Sequence, residues 1–400
     1  MSIDNRKCFE SAESLKRFEP ETLCRFLNRY SGYVAARLGD LPDVPTEKNM
    51  PYDKIAAMFI ETGEDTPGEF LEKMVLIIEM ATPGGHQKML EEADRMGVPY
   101  SDFHGKTFHD TAMRAALLPG DLLDRAHARV VIFKKRCFAY YPSVSGVVPD
   151  FVVPSAAVLE GLAADFTTWF HGIAPKIRAK VLLFDFLNEA WFVVRHGGQP
   201  IRMGVYEGED AVSKFLVPEA YDGIVFNKVH GELRILSKLE PDMQAGYVAR
   251  FGELLGGSDQ FFGRQTVFFP ERVATMRRDT LIWKDNNRID SIRLSGVRYQ
   301  MPGGEIVKLD SSKCLLIKNE DGRRLIPEKF EKVLYAEFKF RMLGDKRERS
   351  VRVDAGCEAT YLRDSDVVLI EQWLRNNGLM CVGAVLVARE EQEFRLKVAV

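Results

Sequence analysis

Apolar positions in roughly the first 130 residues recur at three- and four-residue steps. From about Lys180 onward they come instead in short runs or at every second residue. Leu23, Phe26, Leu27, Tyr30, Val34 and Leu38 predict one amphipathic helix over residues 21–38, entered through Pro20. Pro42, Pro45 and Pro51 make residues 39–52 a connection. Helical patterns resume over 52–59, 68–80 and 86–96, with Pro83-Gly84-Gly85 separating the last two, and a further helix is expected over about 121–129. Residues 129–141 are rich in β-branched and aromatic side chains, and residues 144–154 are punctuated by Gly146, Pro149 and Pro154. Ser155 is a suitable N-cap for a helix over 155–170, with Val158, Leu159, Leu162 and Phe166 along one face.

Residues 181–186, 191–195 and 201–206 read as strands separated by turn-like steps at Asn188-Glu189 and Gly197-Gly198-Gln199-Pro200, and 223–227 and 232–236 continue the meander across a His230-Gly231 turn. Those steps are too short for parallel crossovers, so the meander is antiparallel. A helix over 242–255 stops at Gly256-Gly257. The clearest strand alternates Leu334, Ala336, Phe338, Phe340 and Met342 with Tyr335, Glu337, Lys339 and Arg341. After a turn at 343–346, Val351 and Val353 return along the same apolar face. A helix over 364–377, with Val367, Val368, Ile370 and Leu374 inward, is capped by Gly378, and 382–387 reads as a last strand. The expected fold class is α+β: a helical N-terminal domain followed by an antiparallel β-rich α+β region. Four hundred residues exceed one ordinary core. The expected division is 1–140 (helical, acidic), 141–262 (α+β meander) and 263–400 (basic, β-rich, one C-terminal helix).

Charge sharpens this division. The whole chain carries −3, which marks it neither as a nucleic-acid nor as a membrane protein. Residues 1–130 hold 16 Lys+Arg against 22 Asp+Glu, a net of −6, whereas residues 264–352 hold 21 against 13, a net of +8. The six cysteines are scattered without metal-site spacing and are read as reduced thiols. A polar N-terminus without an apolar h-region, and no apolar stretch near 20 residues, predict a cytoplasmic protein with no membrane contact.

The basic window supplies the leading candidates. Arg277, Arg278, Lys284 and Arg288, then Lys339, Arg341, Arg347, Arg349 and Arg352, are the expected nucleic-acid-binding residues, with Arg293, Arg298, Trp283 and Tyr299 among them. Arginine forks match phosphate geometry, and aromatic rings can stack on unpaired bases. Outward positions of a soluble sheet are charged in any case, and the thirteen acids of the window fit that plainer reading.

Glu337-Phe338-Lys339 is an acid-x-lysine step on a predicted strand. It resembles the core of the restriction-endonuclease-like nuclease pattern, over these residues alone. The resemblance implies that an upstream acid (Asp310 or Asp321) and Glu337 hold Mg²⁺ while Lys339 orients the attacking water. His104, His109-Asp110, Asp121 and His127 loosely resemble a histidine–aspartate metal phosphohydrolase, but the five-residue gap before the dyad is too short, and His109-Asp110 reads equally as a helix start. Walker A, G-x-G-x-x-G, G-x-S-x-G and H-E-x-x-H motifs are missing from the sequence.

The leading reading is a non-enzymatic accessory or adaptor protein of bacterial texture. Its acidic helical part would meet a protein partner and its basic C-terminal surface nucleic acid. No cofactor or metal is expected, Mg²⁺ entering only with the nuclease alternative through Glu337, Lys339 and Asp310. A third reading is a purely protein-binding assembly subunit.

Overall fold

The structure, a computed structural model, describes residues 9–61, 65–133, 137–170, 178–198, 200–207, 210–281, 283, 288–316, 326, 330–361 and 367–381. The chain divides into two compact units, Met1–Val131 and Ile132–Val400.

The first unit is helical: α1 Ala12–Leu15, α2 Pro20–Asn28, α3 Ser31–Leu38, α4 Tyr52–Ile60, α5 Gly68–Met80, α6 Pro83–Met96, α7 Phe108–Leu117 and α8 Leu122–Phe133, whose last two residues belong to the second unit. Its core is aromatic. Phe9 stacks on Phe18 at 5.3 Å, and Phe70 on Phe59 at 5.4 Å and on Phe26 at 5.8 Å. The helix expected over 21–38 is two helices. Arg29, at the break, donates to the carbonyls of Ala116 (2.8 Å) and Leu117 (2.6 Å), the last residues of α7. Tyr30 packs edge-on against Phe70 at 5.1 Å. These tertiary contacts outweigh a continuous helical ladder. α6 begins three residues before the expected start, because Pro83 takes the first helical position and the Thr82 hydroxyl accepts from Gly85 N–H at 3.0 Å. Asp110, fully buried, accepts from Glu19 N–H (2.9 Å), Lys106 N–H (3.1 Å) and Arg114 Nε (3.2 Å), tying the start of α7 to the chain before α2. α8 extends to Phe133, past the point where strand texture was expected, and Arg129 within it donates to Glu91 of α6 at 2.9 Å.

The second unit is built on one antiparallel sheet of ten strands, so the α+β expectation holds. In chain order the elements are β1 Cys137–Pro142, α9 Ala156–Phe170, β2 Lys180–Asp185, β3 Glu189–Gly197, β4 Ile201–Glu207, β5 Asp210–Leu216, β6 Glu219–Asn227, β7 Glu232–Leu236, α10 Pro241–Gly256, β8 Ile289–Gln300, β9 Ile306–Asp310, β10 Lys332–Met342, β11 Arg349–Asp354, β12 Glu358–Thr360 and α11 Val367–Asn376. The strands lie in the order β2-β3-β6-β7-β1-β12-β11-β10-β8-β9. Strands from 141–262 and from beyond 262 thus share one sheet, joined where β1 pairs with β7 on one side and β12 on the other. β4 and β5 leave it and pair with each other as a separate two-stranded ribbon.

Around β3, β6, β7 and β1, one face is covered by α9 and α10 through Phe166, Tyr247 and Phe251 over Phe192, Ile224 and Phe226. α10 stops at Gly257, whose φ of +74° places it in the left-handed region. Farther along, Phe338 and Phe340 of β10 meet Trp373 of α11 edge-on at 5.1 and 5.2 Å. The expected inward positions Val158 (43% exposed) and Val368 (63%) in fact face solvent, since α9 buries Phe166 and Phe170 and α11 buries Ile370, Trp373 and Leu374. The strand expected over 382–387 lies outside the described residues.

A charged group sits inside the second unit. Arg234 of β7, 1% exposed, donates to Glu232 (Nε–Oε1 2.7 Å), Glu189 (2.8 Å) and Glu371 of α11 (2.9 Å), and lies 5.2 Å from the centre of the Tyr140 ring. Burial opposes its charge, but Glu371 and Glu232 hold its pKa well above the usual arginine value. Tyr140 and Tyr361 also donate to Glu371, at 3.1 and 2.8 Å. Among the described residues no helix is long and apolar enough to cross a membrane.

Candidate nucleic-acid interface

The period-two pattern of β10 buries Phe338 and Phe340 against α11 and turns Tyr335, Glu337, Lys339 and Arg341 to the other side. Strand pairing then decides which neighbours share that face. Tyr335 stands opposite Arg298 of β8 and Asp354 of β11, and Arg298 in turn opposite Lys308 of β9. Glu337 stands opposite Gly296 and Arg352, and Gly296 opposite Asp310. Lys339 stands opposite Arg293 and Ser350. The irregularity between Glu337 and Phe338, where Ser295 is the extra residue of β8, keeps Arg293 and Arg298 on one face although they stand an odd number of positions apart in sequence.

Six cations (Arg293, Arg298, Lys308, Lys339, Arg341 and Arg352) therefore share the face, against the carboxylates of Asp310, Glu337 and Asp354 and of Glu348 from the β10–β11 turn. The local net is +2. Most of these charges are paired. Arg293 grips Glu348 with two bonds, 3.1 and 2.7 Å, and donates to Ser311 O at 3.1 Å, while Arg341 approaches Glu348 at 3.6 Å. Lys308 meets Asp310 at 2.6 Å, and Arg352 meets Asp354 through Nε at 3.0 Å while lying 4.0 Å over the Tyr335 ring. Lys339 donates to Glu337 at 2.7 Å and to the Ser350 hydroxyl at 3.1 Å, and that hydroxyl donates to Glu337 at 2.6 Å.

These contacts set the protonation of the face. Partial burial pushes the Glu337 carboxyl up, but hydrogen bonds from Lys339 and Ser350 outweigh it and leave the pKa below the usual carboxylate value. The Arg293 fork holds Glu348 down as well, and Glu348 in turn raises the Arg293 guanidinium. Ion pairs with exposed members contribute only about 0–1 kcal/mol each, so the exposed cations Lys308, Arg341 and Arg352 can exchange a carboxylate for a phosphate at small cost.

The other expected contacts are placed differently. Arg277 and Arg278 are exposed but lie outside the sheet, at the 3₁₀ turn Arg278–Leu281. Arg288 is exposed immediately before β8, and Arg347 is exposed in the β10–β11 turn. Arg349 stands opposite Phe340, which places it on the core side of the hairpin tip, where it pairs with Asp345 at 3.1 Å. Lys284 and Asp321 lie outside the described residues. Lys308 joins the face unforeseen, because the pairing of β9 with β8 has no sequence signal of its own beyond a short alternation.

Asp310 and Glu337 share one cross-strand row with Gly296 between them, and a Cβ at Gly296 would stand 2.9 Å from Asp310 Oδ1. Each carboxylate is engaged by a lysine of its own strand, Lys308 or Lys339. Among the described residues no group of three or more His, Cys, Asp and Glu side chains is arranged to hold a metal ion. The histidine group of the first unit does not converge. His104 bonds to Tyr100 (2.5 Å), His127 to Glu79 (2.6 Å), and His109, whose pKa is lowered by burial and by Arg17, packs edge-on against Phe18. His109-Asp110 lies in the first turn of α7, with Thr107 as N-cap accepting from Asp110 N–H at 3.1 Å.

No protein-family model matches the chain, and no curated protein matches it.

Proposed function

We propose that the protein is a non-enzymatic accessory or adaptor protein that contacts nucleic acid through the outward face of β9, β8, β10 and β11, with its acidic helical unit serving a protein partner. The observation that supports the nucleic-acid contact is the register. Six cations from four strands fall on one side of the sheet, with Lys346 and Arg347 exposed at the adjoining hairpin tip. A local excess of a few charges predicts salt-sensitive binding without sequence preference. Mobility shifts with fluorescent 20-mers, measured on the full chain at 50 and 200 mM salt, test it: binding is expected at the lower concentration and loss of most of it at the higher. No shift at 50 mM with any nucleic acid would sink the proposal.

The nuclease alternative draws on a specific feature, the two carboxylates flanking Gly296 beside Lys339. It predicts Mg²⁺-dependent cleavage that disappears in Glu337→Ala. Intact substrate after prolonged incubation of the wild-type chain with Mg²⁺ would dispose of it.

A further inference from the structure

Resting on the proposed nucleic-acid contact, we infer that this face binds double-stranded nucleic acid through its phosphate backbone, and does not read single strands by base stacking. Proteins that hold single strands combine a basic groove with exposed aromatic rings, each stacked base contributing about 1–3 kcal/mol. Among the described residues, the two tyrosines set in these strands, Tyr335 and Tyr299, are withdrawn from that role. Tyr335, the aromatic residue of the cation rows, is 6% exposed and covered by the Arg352 guanidinium at 4.0 Å. Tyr299 of β8 is 5% exposed and stands one position past Arg298, so alternation turns it to the other side of the sheet. What the face offers to solvent is charge: Arg298, Lys308, Arg341 and Arg352 among the cations, with Lys308 59% and Arg341 47% exposed.

Such a surface gains from charge density, and a duplex presents about one phosphate charge per 1.7 Å of axis, twice the density of one of its strands. The four strands span about 14 Å across three gaps of about 4.8 Å, a width that lets several cations meet phosphates together. The hydrogen-bonding groups of Lys339, Ser350 and Glu337 are turned on one another, which leaves the row without a directed donor–acceptor pair for a base edge. Contact with phosphates positions a duplex but carries no sequence information.

The test uses the full chain with a 20-base-pair DNA duplex, each of its strands alone, a scrambled duplex and an RNA duplex of the same sequence, at 50 mM salt. The duplex is expected to bind at least about tenfold more tightly than either strand, and the scrambled and RNA duplexes within a few-fold of it. With about four phosphates neutralised, duplex affinity should fall on the order of 100-fold between 50 and 200 mM salt, and Arg298→Ala should reduce the salt slope by about one. Single strands binding as tightly as the duplex, or a 100-fold preference for one sequence or one duplex form, would overturn the inference while leaving nucleic-acid binding in place. Binding to none of these probes removes the parent reading itself.

Discussion

Replacing Arg234 by methionine gives a demanding test of the second unit's interior. The substitution keeps an unbranched apolar stem but removes the cation that Glu232 (fully buried), Glu371 (5% exposed) and Glu189 share, leaving Arg375 at 3.4 Å from Glu371 and 3.9 Å from Glu232 as their remaining cation. Two of those carboxylates cannot reach water without opening the packing of α11 on the sheet. Removing one member of a buried ion pair costs about 3–5 kcal/mol, chiefly through the charge left behind. All four tryptophans (Trp169, Trp191, Trp283, Trp373) belong to the second unit, so their fluorescence reports its unfolding without signal from the helical unit. Taking a urea m-value of about 3 kcal/mol per M, the midpoint should fall by about 1–1.7 M. Arg234→Lys retains a charge but not the fork that reaches several carboxylates at once, and should fall between the two. A midpoint shift below about 0.3 M in Arg234→Met would refute the assignment of this network as a clamp between β7 and α11.

Asp110→Ala should destabilise the first unit by about 2–3 kcal/mol, because two backbone N–H groups lose their acceptor and Arg114 keeps only Glu19. Helical circular dichroism should report the loss with tryptophan fluorescence unmoved, and equal shifts in both signals would contradict it. Glu337→Gln removes a negative charge from the cation face and should tighten duplex binding a few-fold. Weakened binding would mean that Glu337 orders Lys339 for contact. The Glu337 and Glu348 pKa values lie below the ordinary carboxylate value, so the ionised pairs are complete above that range and lost only as pH falls through the lower folded-state values. Nucleic-acid affinity should accordingly stay level from pH 8 to 5, and a step between pH 6 and 7 would point to a histidine outside this face.

Much of this architecture can be read from side-chain patterning, and the exceptions have physical causes. The alternation from Leu334 to Met342 announces β10, and the Ser155 cap and glycine stop signals announce α9 and the end of α10, because these are local effects. The break at Arg29-Tyr30 is not local, since it depends on the carbonyls of residues 116 and 117. Nothing in the run 232–236 marks Arg234 and Glu232 as interior, and they lie inside with Glu371, 137 residues beyond Arg234, as a partner. The candidate face was half visible. Lys339, Arg341 and Arg352 follow from alternation within one hairpin, whereas Arg298 and Lys308 join them only through cross-strand register and its irregularities. The neutralising acids were the least legible part, because charge counts along the chain do not show which carboxylate an arginine will meet.

The β4–β5 ribbon bears on how this chain can be lengthened or shortened. It departs from the sheet at the end of β3 and returns at the start of β6, where Gly197 pairs with Glu219 and Gly198 N–H donates to Pro218 O at 2.7 Å. The two ends are thus already held at hairpin spacing, and the register of β3 with β6 is set over nine pairs without it. Exchanging residues 199–217 for a two-residue turn should leave the ten-stranded sheet intact, and the same junction should accept a foreign ribbon or epitope without a change to the pairing of β3 with β6.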